Sequence, residues 1–275
     1  MNKELKRILN CLNKKRGFDF TGYSLSILER RISQRLSLIN CHDYNTYLHY
    51  LQENPNECEQ LIDVLIINVS RFFRHTLTFE YIANHILPPF VFHNTSQKKL
   101  SLRVWSAGCS MGEEPYSIAI MINELLENEI LTHDVKIFAT DIDHNILEKA
   151  QKAEYSYEQI ENIKYKFLKK YFTHKGESFF LKPEIKKMVS FSIFDILDKK
   201  SFAPPESIFG AFDLVFCRNV LIYFSPNYQE LIFKKLYRSM ARNGYLILGE
   251  AEVPMQTYQA SLKKVSDCCH IYQKI

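Results

Sequence analysis

The chain has 275 residues, of which 46% are hydrophobic and 24% are charged, and its formal net charge is +4. This is the balance of an ordinary water-soluble globular protein, with room for one large domain or for a small and a medium one. The N-terminal residues lack the apolar core of a secretory signal and no apolar run approaches membrane-spanning length, so we expect a cytoplasmic protein that is not inserted in a membrane.

The seven cysteines are an odd number without any CxxC spacing, which favours reduced structural thiols over a disulfide framework. The nine histidines show no zinc-binding spacing either. We therefore predict no metal site.

An all-helical domain is predicted for residues 1–88, followed by a polar linker over residues 89–99. In the predicted helix over residues 24–39, the apolar residues Leu28, Ile32 and Leu36 recur at helical spacing and predict one buried stripe. Asp43 is the predicted N-cap of the helix that follows. The predicted helices cover residues 24–39, 44–53, 57–67 and about 76–87, the last ending at Pro88-Pro89.

The leading segment is strongly basic. Residues 1–40 carry nine Lys and Arg against three Asp and Glu, a net charge of +6. Arg31 and Arg35 lie one turn apart beside the apolar stripe, and Arg30 is predicted to point to the open face. Charge alone leaves two interpretations of equal weight, an anionic partner surface and a solvated helix face.

After residue 100, short apolar strands alternate with helices. This alternation implies right-handed crossovers and a largely parallel sheet, which is an α/β fold. A less regular, lysine-rich segment over about residues 155–190 is predicted to be a small β insertion. The predicted strands cover residues 102–106, 135–140, 212–217 and 245–248, with helices over 114–127, 142–150 and 226–241, the last closed by Asn243-Gly244.

A glycine-bearing turn follows the first strand, at the edge where open α/β sheets bind ligands. Its glycines, Gly108 and Gly112, have GxxxG spacing instead of the dinucleotide fingerprint GxGxxG, and the acid that ends the second strand, Asp141, comes much later than that fingerprint requires. Glu113 and Glu114 would repel a pyrophosphate and attract an ammonium group. S-adenosylmethionine has an ammonium group, a cationic sulfonium and ribose hydroxyls but no phosphate, so the pattern favours it, with Asp141 on the ribose.

Three polar residues, Arg218, Asn219 and Tyr223, follow the strand over 212–217. A purely structural loop rarely needs three such groups at the carboxyl end of a buried strand. The Asp/Asn-Pro-Pro-aromatic run typical of base methyltransferases is absent here, and so is an aromatic-basic pattern for RNA. Nucleic acid is therefore not the expected partner.

Four blocks, residues 68–74, 105–117, 139–143 and 212–224, resemble the signature motifs of the chemotaxis receptor glutamate methyltransferases, the CheR family. The resemblance extends over nearly the whole chain in order. It implies a class I methyltransferase-like, doubly wound, mostly parallel sheet with an N-terminal all-helical domain and a small β insertion. Two positions depart from the family pattern: Ser70 stands where threonine is usual, and Ala251 stands in residues 249–252 where serine is usual.

The resemblance also implies roles for individual residues. Glu114 would take the cofactor ammonium, Asp141 the ribose and Asp195 the exocyclic amine of adenine. Arg74 and Tyr223 would be the catalytic residues, at the reacting carboxylate and at the substrate entrance. The implied cofactor-binding residues are Asn68, Ser70, Arg74, Gly108, Glu114, Asp141, Asp195, Ile196, Arg218 and Asn219.

The implied reaction is S-adenosylmethionine-dependent methyl esterification of glutamate side chains, with S-adenosylhomocysteine as product and no metal. The implied partners are glutamate-rich helices of methyl-accepting chemotaxis receptors, met by a monomer through Arg30, Arg31 and Arg35. A second interpretation remains open, that of a non-catalytic signalling module that binds S-adenosylmethionine or S-adenosylhomocysteine.

Overall fold

The computed structural model describes residues 3–16, 18–66, 70–92, 99–127, 132–207 and 210–275. The chain forms two compact units, Met1–Asn68 with Ile222–Gln229, and Val69–Leu221 with Glu230–Ile275. The first unit thus ends earlier than the predicted boundary at residue 88. The reason is packing, since Phe79, Ile82 and Ile86 are buried in the core of the second unit.

Among the described residues up to Ile66, four helices form the N-terminal part of the first unit. The predicted apolar stripe is confirmed, because Leu28, Ile32 and Leu36 are the buried residues of the second helix. The predicted N-cap is also confirmed: the Asp43 carboxylate accepts hydrogen bonds from the backbone N–H groups of Asn45 and Thr46, each at 2.9 Å. The helices are α1 (Lys3–Arg16), α2 (Leu25–Leu38), α3 (Tyr44–Glu53) and α4 (Pro55–Leu65).

The segment Ile222–Gln229 belongs to this same unit although it is distant in sequence. The N–H of Ser24 donates to the Tyr223 carbonyl at 2.8 Å, and the N–H of Ser225 donates to the Gly22 carbonyl at 2.9 Å. The rings of Tyr23 and Phe224 pack with their centroids 4.8 Å apart. The backbone of Tyr223 is therefore held by the start of α2.

A seven-stranded sheet forms the centre of the second unit, in the order β6-β2-β1-β7-β8-β10-β9. The first five strands are mutually parallel, and β10 runs antiparallel to both β8 and β9. This confirms the mostly parallel α/β sheet. Its strands are β1 (Lys99–Ala107), β2 (Thr132–Asp141), β6 (Val189–Ile193), β7 (Phe212–Cys217), β8 (Met240–Leu248), β9 (Leu262–Lys264) and β10 (Ile271–Lys274).

Helices follow the parallel strands, as crossover connections require. The main ones are α7 (Glu113–Leu126), α8 (His144–Lys152) and α12 (Pro226–Ser239). The central strands are apolar because both faces of the sheet are covered. Trp105, Leu214 and Phe216 are fully buried accordingly.

The predicted insertion is a small antiparallel sheet, in the order β3-β5-β4. Its strands are β3 (Glu154–Tyr155), β4 (Phe172–Lys175) and β5 (Ser178–Leu181), and three short helices flank them, α9 (Tyr157–Ile160), α10 (Tyr165–Tyr171) and α11 (Pro183–Lys186). The predicted insertion limit near residue 190 is too late. Val189–Ile193 is β6, an edge strand of the main sheet, because it pairs with β2 in parallel.

Two predicted helix ends are wrong. The helix that starts as α5 (Thr76–Tyr81) does not end at Pro88-Pro89 but passes through a π-turn at Ile82–Ile86 and continues as α6 (Leu87–Phe92). Within that wider turn the N–H of Leu87 bonds to the Ile82 carbonyl, so the backbone changes register just before the prolines. Asn243-Gly244 does not close α12 either, because it lies within β8, where the pairing with β7 shifts register.

No helix among the described residues is long and apolar enough to cross a membrane.

Candidate cofactor and methyl-transfer site

The glycine turn after β1 lies against the end of β2. The N–H groups of Gly108 and Cys109 donate to the Thr140 carbonyl at 2.8 and 2.9 Å. Gly108 has a φ of +73°, and a Cβ at this position would lie 2.6 Å from a methyl carbon of Val220. Glycine is therefore required here for both conformation and space.

Asp141 is fixed at the carboxyl end of β2 beside this turn. Its carboxylate accepts hydrogen bonds from the backbone N–H of Ser110 at 2.9 Å and of Asp143 at 3.2 Å. The residue is 8% exposed, and burial raises the pKa of its carboxyl. Each carboxylate oxygen has a second lone pair, so the group can still accept bonds from a diol such as ribose.

Glu114, Arg218 and Arg74 form a connected chain. The Glu114 carboxylate accepts from the Ser106 hydroxyl at 2.8 Å and from Arg218 Nη1 at 3.2 Å. Arg218 Nη2 donates to the Arg74 carbonyl at 2.7 Å. Burial raises the pKa of Glu114, while the positive charges of Arg218 and, more weakly, Arg74 oppose the rise. The structure thus brings three of the predicted site residues together.

The segment that carries Arg74 is held in an unusual backbone conformation. Phe73 and His75, on either side of Arg74, have φ values of +50° and +60°. The N–H of Phe73 donates to the Ser117 hydroxyl on α7 at 2.9 Å. Residues other than glycine enter this region at a cost, which is usual at functional sites. The position of Arg74 is therefore specified by the fold.

Glu113 does not share the predicted role of attracting the cofactor ammonium. Its side chain turns to the small insertion, where Gln159 Nε2 donates to Glu113 Oε1 at 3.0 Å. Burial raises the pKa of the Glu113 carboxyl. Hydrogen bonds to the Gln159 and Ser70 side chains partly oppose this rise. Successive residues of a helix point about 100° apart, and here the Glu113 side chain contacts Gln159 while the Glu114 side chain contacts Arg218.

Asp195 and Ile196 follow β6 at the same edge of the sheet. The N–H of Phe194 donates to the Asp141 carbonyl at 3.0 Å, which joins this segment to the end of β2. The Asp195 side chain is exposed and accepts from the N–H of Leu197 at 2.8 Å, while Ile196 is half-buried. Both residues lie on the segment directly beside Asp141.

The turn at Asn219 depends on a residue whose role sequence reasoning missed, Glu252. Its carboxylate accepts four backbone hydrogen bonds, from Asn219 at 2.9 Å, from Val220 and Leu221 at 2.8 Å, and from Gly249 at 2.7 Å. Asn219 has a φ of +59°. The place of Glu252 in the motif over residues 249–252 was its only sequence signal. Glu252 shapes the turn that carries Arg218 and Asn219.

We expect Glu252→Gln to lower the free energy of unfolding by about 1–3 kcal/mol, because an amide replaces a carboxylate that accepts four N–H donors. Urea denaturation measures the change. The matched control is Glu250→Gln, whose side chain is 71% exposed. It should change stability by no more than about 0.5 kcal/mol. Equal stability of the two variants would contradict the role of Glu252.

Four buried polar atoms in this region lack a hydrogen-bond partner among the described residues, one of them Glu113 Oε2. The other three are the Ser110 hydroxyl, Arg218 Nε and the Asn219 side-chain oxygen. Buried polar atoms are nearly always paired, so unpaired atoms beside Asp141 and Glu114 indicate a place for a polar ligand. The region, with its two carboxylates, fits the ribose and ammonium groups of S-adenosylmethionine. Ser110 is a candidate contact that sequence reasoning did not name.

Two other predicted residues, Asn68 and Tyr223, are assigned to the first unit. Asn68 lies outside the described residues. Tyr223 is half-buried in the first unit, where its carbonyl is bonded to Ser24.

The three arginines of α2 have different environments. Arg35 pairs with Glu57 through Nε at 2.8 Å and Nη2 at 2.6 Å, and Tyr47 donates to the same carboxylate at 2.6 Å. Arg31 Nη1 donates to the Val64 carbonyl at 2.5 Å. Arg30 is exposed. Arg31 and Arg35 thus tie α2 to α4, whereas Arg30 can meet a partner without breaking these contacts; substrate binding by the three arginines stays a prediction.

Among the described residues, no group of three or more His, Cys, Asp or Glu side chains could hold a metal ion.

Comparison with known proteins gives matches to both parts of the chain. Residues 3–66 match the CheR methyltransferase all-alpha domain, and residues 68–268 match the CheR methyltransferase SAM binding domain. The magnesium protoporphyrin IX methyltransferase of Synechocystis, solved with bound SAH, is 17% identical, with a TM-score of 0.34 over 63% of this chain and 54% of that chain.

Three curated relatives are similar over most of their length. The chemotaxis protein methyltransferase of Borreliella burgdorferi is 33% identical over 253 residues, which cover 90% of this chain and 87% of that protein. The chemotaxis protein methyltransferase Cher2 of Pseudomonas putida is 37% identical over 198 residues, 70% and 69% of the two chains. The chemotaxis protein methyltransferase of Escherichia coli is 30% identical over 254 residues, 90% and 83% of the two chains.

Proposed function

Because this chain belongs to the CheR methyltransferase family, we propose that it transfers the methyl group of S-adenosylmethionine to glutamate side chains of chemotaxis receptors. The observation that carries the proposal is the connected chain of Glu114, Arg218 and Arg74 next to Asp141. It combines two buried carboxylates for the cofactor with the backbone of Arg74, whose positive charge is close enough to lower the pKa of Glu114 and is proposed to meet the carboxylate substrate.

The bound cofactor supplies a methyl group on a cationic sulfur. A glutamate side chain has a reference pKa of about 4.3 and is ionised at neutral pH, so it needs no general base to attack. The protein's task is therefore to orient the two reactants and to exclude water, and orientation can be worth about 7–11 kcal/mol. We assign the cofactor ammonium to Glu114, the ribose to Asp141 and the attacking carboxylate to Arg74.

Tyr223 retains its proposed catalytic role at the substrate entrance, and Asn68 its proposed place in the cofactor site. Asp195 and Ile196 are proposed to border the adenine, because their segment is bonded to the end of β2 beside Asp141. The enzyme is proposed to act as a cytoplasmic monomer.

The direct test is transfer of radiolabelled methyl from S-adenosylmethionine to receptor-containing membranes. A glutamyl ester releases its label as volatile methanol in base, which distinguishes it from methylation of nitrogen. Label in the receptor band that base releases supports the proposal. Tight binding of S-adenosylhomocysteine without any transfer would instead indicate the non-catalytic signalling module.

Substrate recognition is proposed to use the exposed Arg30, in the segment of net charge +6. We expect Arg30→Glu to raise the Michaelis constant for the receptor about threefold to tenfold and to flatten its dependence on salt, because a charge attracted to a glutamate-rich surface becomes repelled. Steady-state methylation at several ionic strengths measures both.

The control is Arg7→Glu, an equal change of charge at an exposed position of α1. It should leave the Michaelis constant nearly unchanged, and neither variant should alter S-adenosylhomocysteine affinity. A wild-type Michaelis constant that does not depend on salt would count against recognition by Arg30.

A further inference from the structure

A groove in the second unit lies between the segment after β6 and α12. Residues 196–202 form one wall, and Leu231, Lys234, Lys235 and Arg238 form the other. Its volume is about 310 Å³. This is at the lower end of the range for small-molecule sites, about 300–1,000 Å³. Ile196 is its one member that also belongs to the proposed cofactor site.

The groove is strongly basic. Five cations line it against one carboxylate, Asp198, and none of the five forms an ion pair with a described residue. Two lysines elsewhere in this unit, Lys166 and Lys170, are by contrast paired with Glu124. The five cations are Lys199, Lys200, Lys234, Lys235 and Arg238. Unpaired cations concentrated in one concavity attract an anion.

Lys235 is the buried member of this set, at 8% exposure. Its ammonium donates to the Asp198 carbonyl at 2.5 Å and lies 4.8 Å from the centroid of the Phe194 ring. Burial lowers the pKa of Lys235, and the nearby carboxylates of Asp198 and Asp195 only partly oppose this. A buried ammonium without an ion pair is costly, so an anion in the groove would relieve an existing penalty.

The groove also exposes apolar surface. Phe202 is 40% exposed and Leu231 is 47% exposed. The Arg238 guanidinium lies 5.3 Å from the centroid of the Phe202 ring, which fixes one side of that ring and leaves aromatic surface open. Cations beside an open aromatic ring suit a ligand that has an anionic end and a planar body.

We propose that this groove binds a phosphorylated small molecule with a planar ring, of the nucleotide class. Lys199, Lys200 and Lys234 meet the phosphate oxygens, and Phe202 contacts the ring. The small volume favours one compact ligand over an acidic peptide, which would need a longer surface. The site goes beyond the proposed function, since methyl transfer requires no phosphate.

The probe for this site is trinitrophenyl-ATP, whose fluorescence rises on binding, titrated with S-adenosylhomocysteine at saturation so that the cofactor site is filled. We expect saturable binding of one probe per chain that ATP displaces and hexaglutamate does not. Lys199→Glu combined with Lys234→Glu should weaken binding about tenfold or more, because two attractive contacts become repulsive. Phe202→Ala should weaken ATP binding more than tripolyphosphate binding.

The matched control is Lys263→Glu combined with Lys264→Glu, the same change of charge at exposed positions of β9. It should leave probe binding unchanged, and calorimetry with S-adenosylhomocysteine confirms that every variant is folded. The proposal is overturned by absent saturation, by equal loss in both double variants, or by probe binding that occurs only when S-adenosylhomocysteine is left out. Displacement by hexaglutamate but not by ATP would also overturn it and would point to an acidic peptide.

Discussion

Arg74→Ala should lower the methyl-transfer rate by about 100-fold or more, the cost of removing one preorganised group that stabilises charge at a reacting centre. The side chain belongs to a segment held by the left-handed residues Phe73 and His75, and its charge reaches Glu114. The backbone that carries it is therefore fixed before any substrate arrives. Arg74→Lys should recover little of the rate, because a point charge does not replace the planar guanidinium fork.

Single-turnover methylation with saturating S-adenosylmethionine measures this effect, and calorimetry with S-adenosylhomocysteine shows that cofactor affinity changes much less. The matched control is Arg71→Ala, three residues earlier, which removes an exposed arginine paired with Glu161. It should retain near wild-type turnover. If both Arg74 variants turn over as fast as Arg71→Ala, Arg74 has no role at the reacting carboxylate.

Asp141→Ala should weaken S-adenosylhomocysteine binding by about 1.5–3 kcal/mol, the value of a lost hydrogen bond to a charged group. This corresponds to about 10-fold to 150-fold in the dissociation constant. Because the carboxylate also accepts from Ser110 and Asp143, removing it loosens the glycine turn as well. Asp141→Asn keeps one acceptor oxygen and isolates the part of the effect that requires a carboxylate.

The control for Asp141→Asn is Asp143→Asn, two residues away. Asp143 is the N-cap of α8 and accepts from the N–H groups of Asn145 and Ile146. Asparagine caps helices as well as aspartate does, so this variant should keep both its stability and its cofactor affinity. Calorimetry that gives the same affinity for Asp141→Asn and the wild type would remove Asp141 from the ribose site.

The sequence alone determined the α/β architecture, because periodicity and end signals are local. The apolar stripe of α2 and the N-cap at Asp43 were both readable in this way. The glycine turn after β1 and the acid that ends β2 were also predicted from local signals. Parallel neighbouring strands end at one edge of the sheet, so these two features were expected to lie together. Asp141 and Gly108 are brought together by that topology.

Only the tertiary structure decided which charged side chains have internal partners. The sequence does not distinguish Arg30 from Arg31 and Arg35. In the structure, Arg31 donates to the Val64 carbonyl and Arg35 pairs with Glu57. The adjacent residues Glu113 and Glu114 also have different partners: Glu113 accepts from Gln159, and Glu114 accepts from Arg218. Such pairings join residues far apart in the chain, and no local pattern encodes them.

The four N–H groups that converge on Glu252 belong to two loops separated by about thirty residues, so the role of this carboxylate appears only after β7 and β8 pair. The continuation of the helix through Pro88 has the same kind of origin. A proline ends a helix when its ring clashes with the carbonyl four residues back. The π-turn at Ile82–Ile86 changes the hydrogen-bond register, so that the N–H bonds to the carbonyl five residues back. Burial of Ile82 and Ile86 in the core holds the turn in place, and core burial is a property of the folded chain.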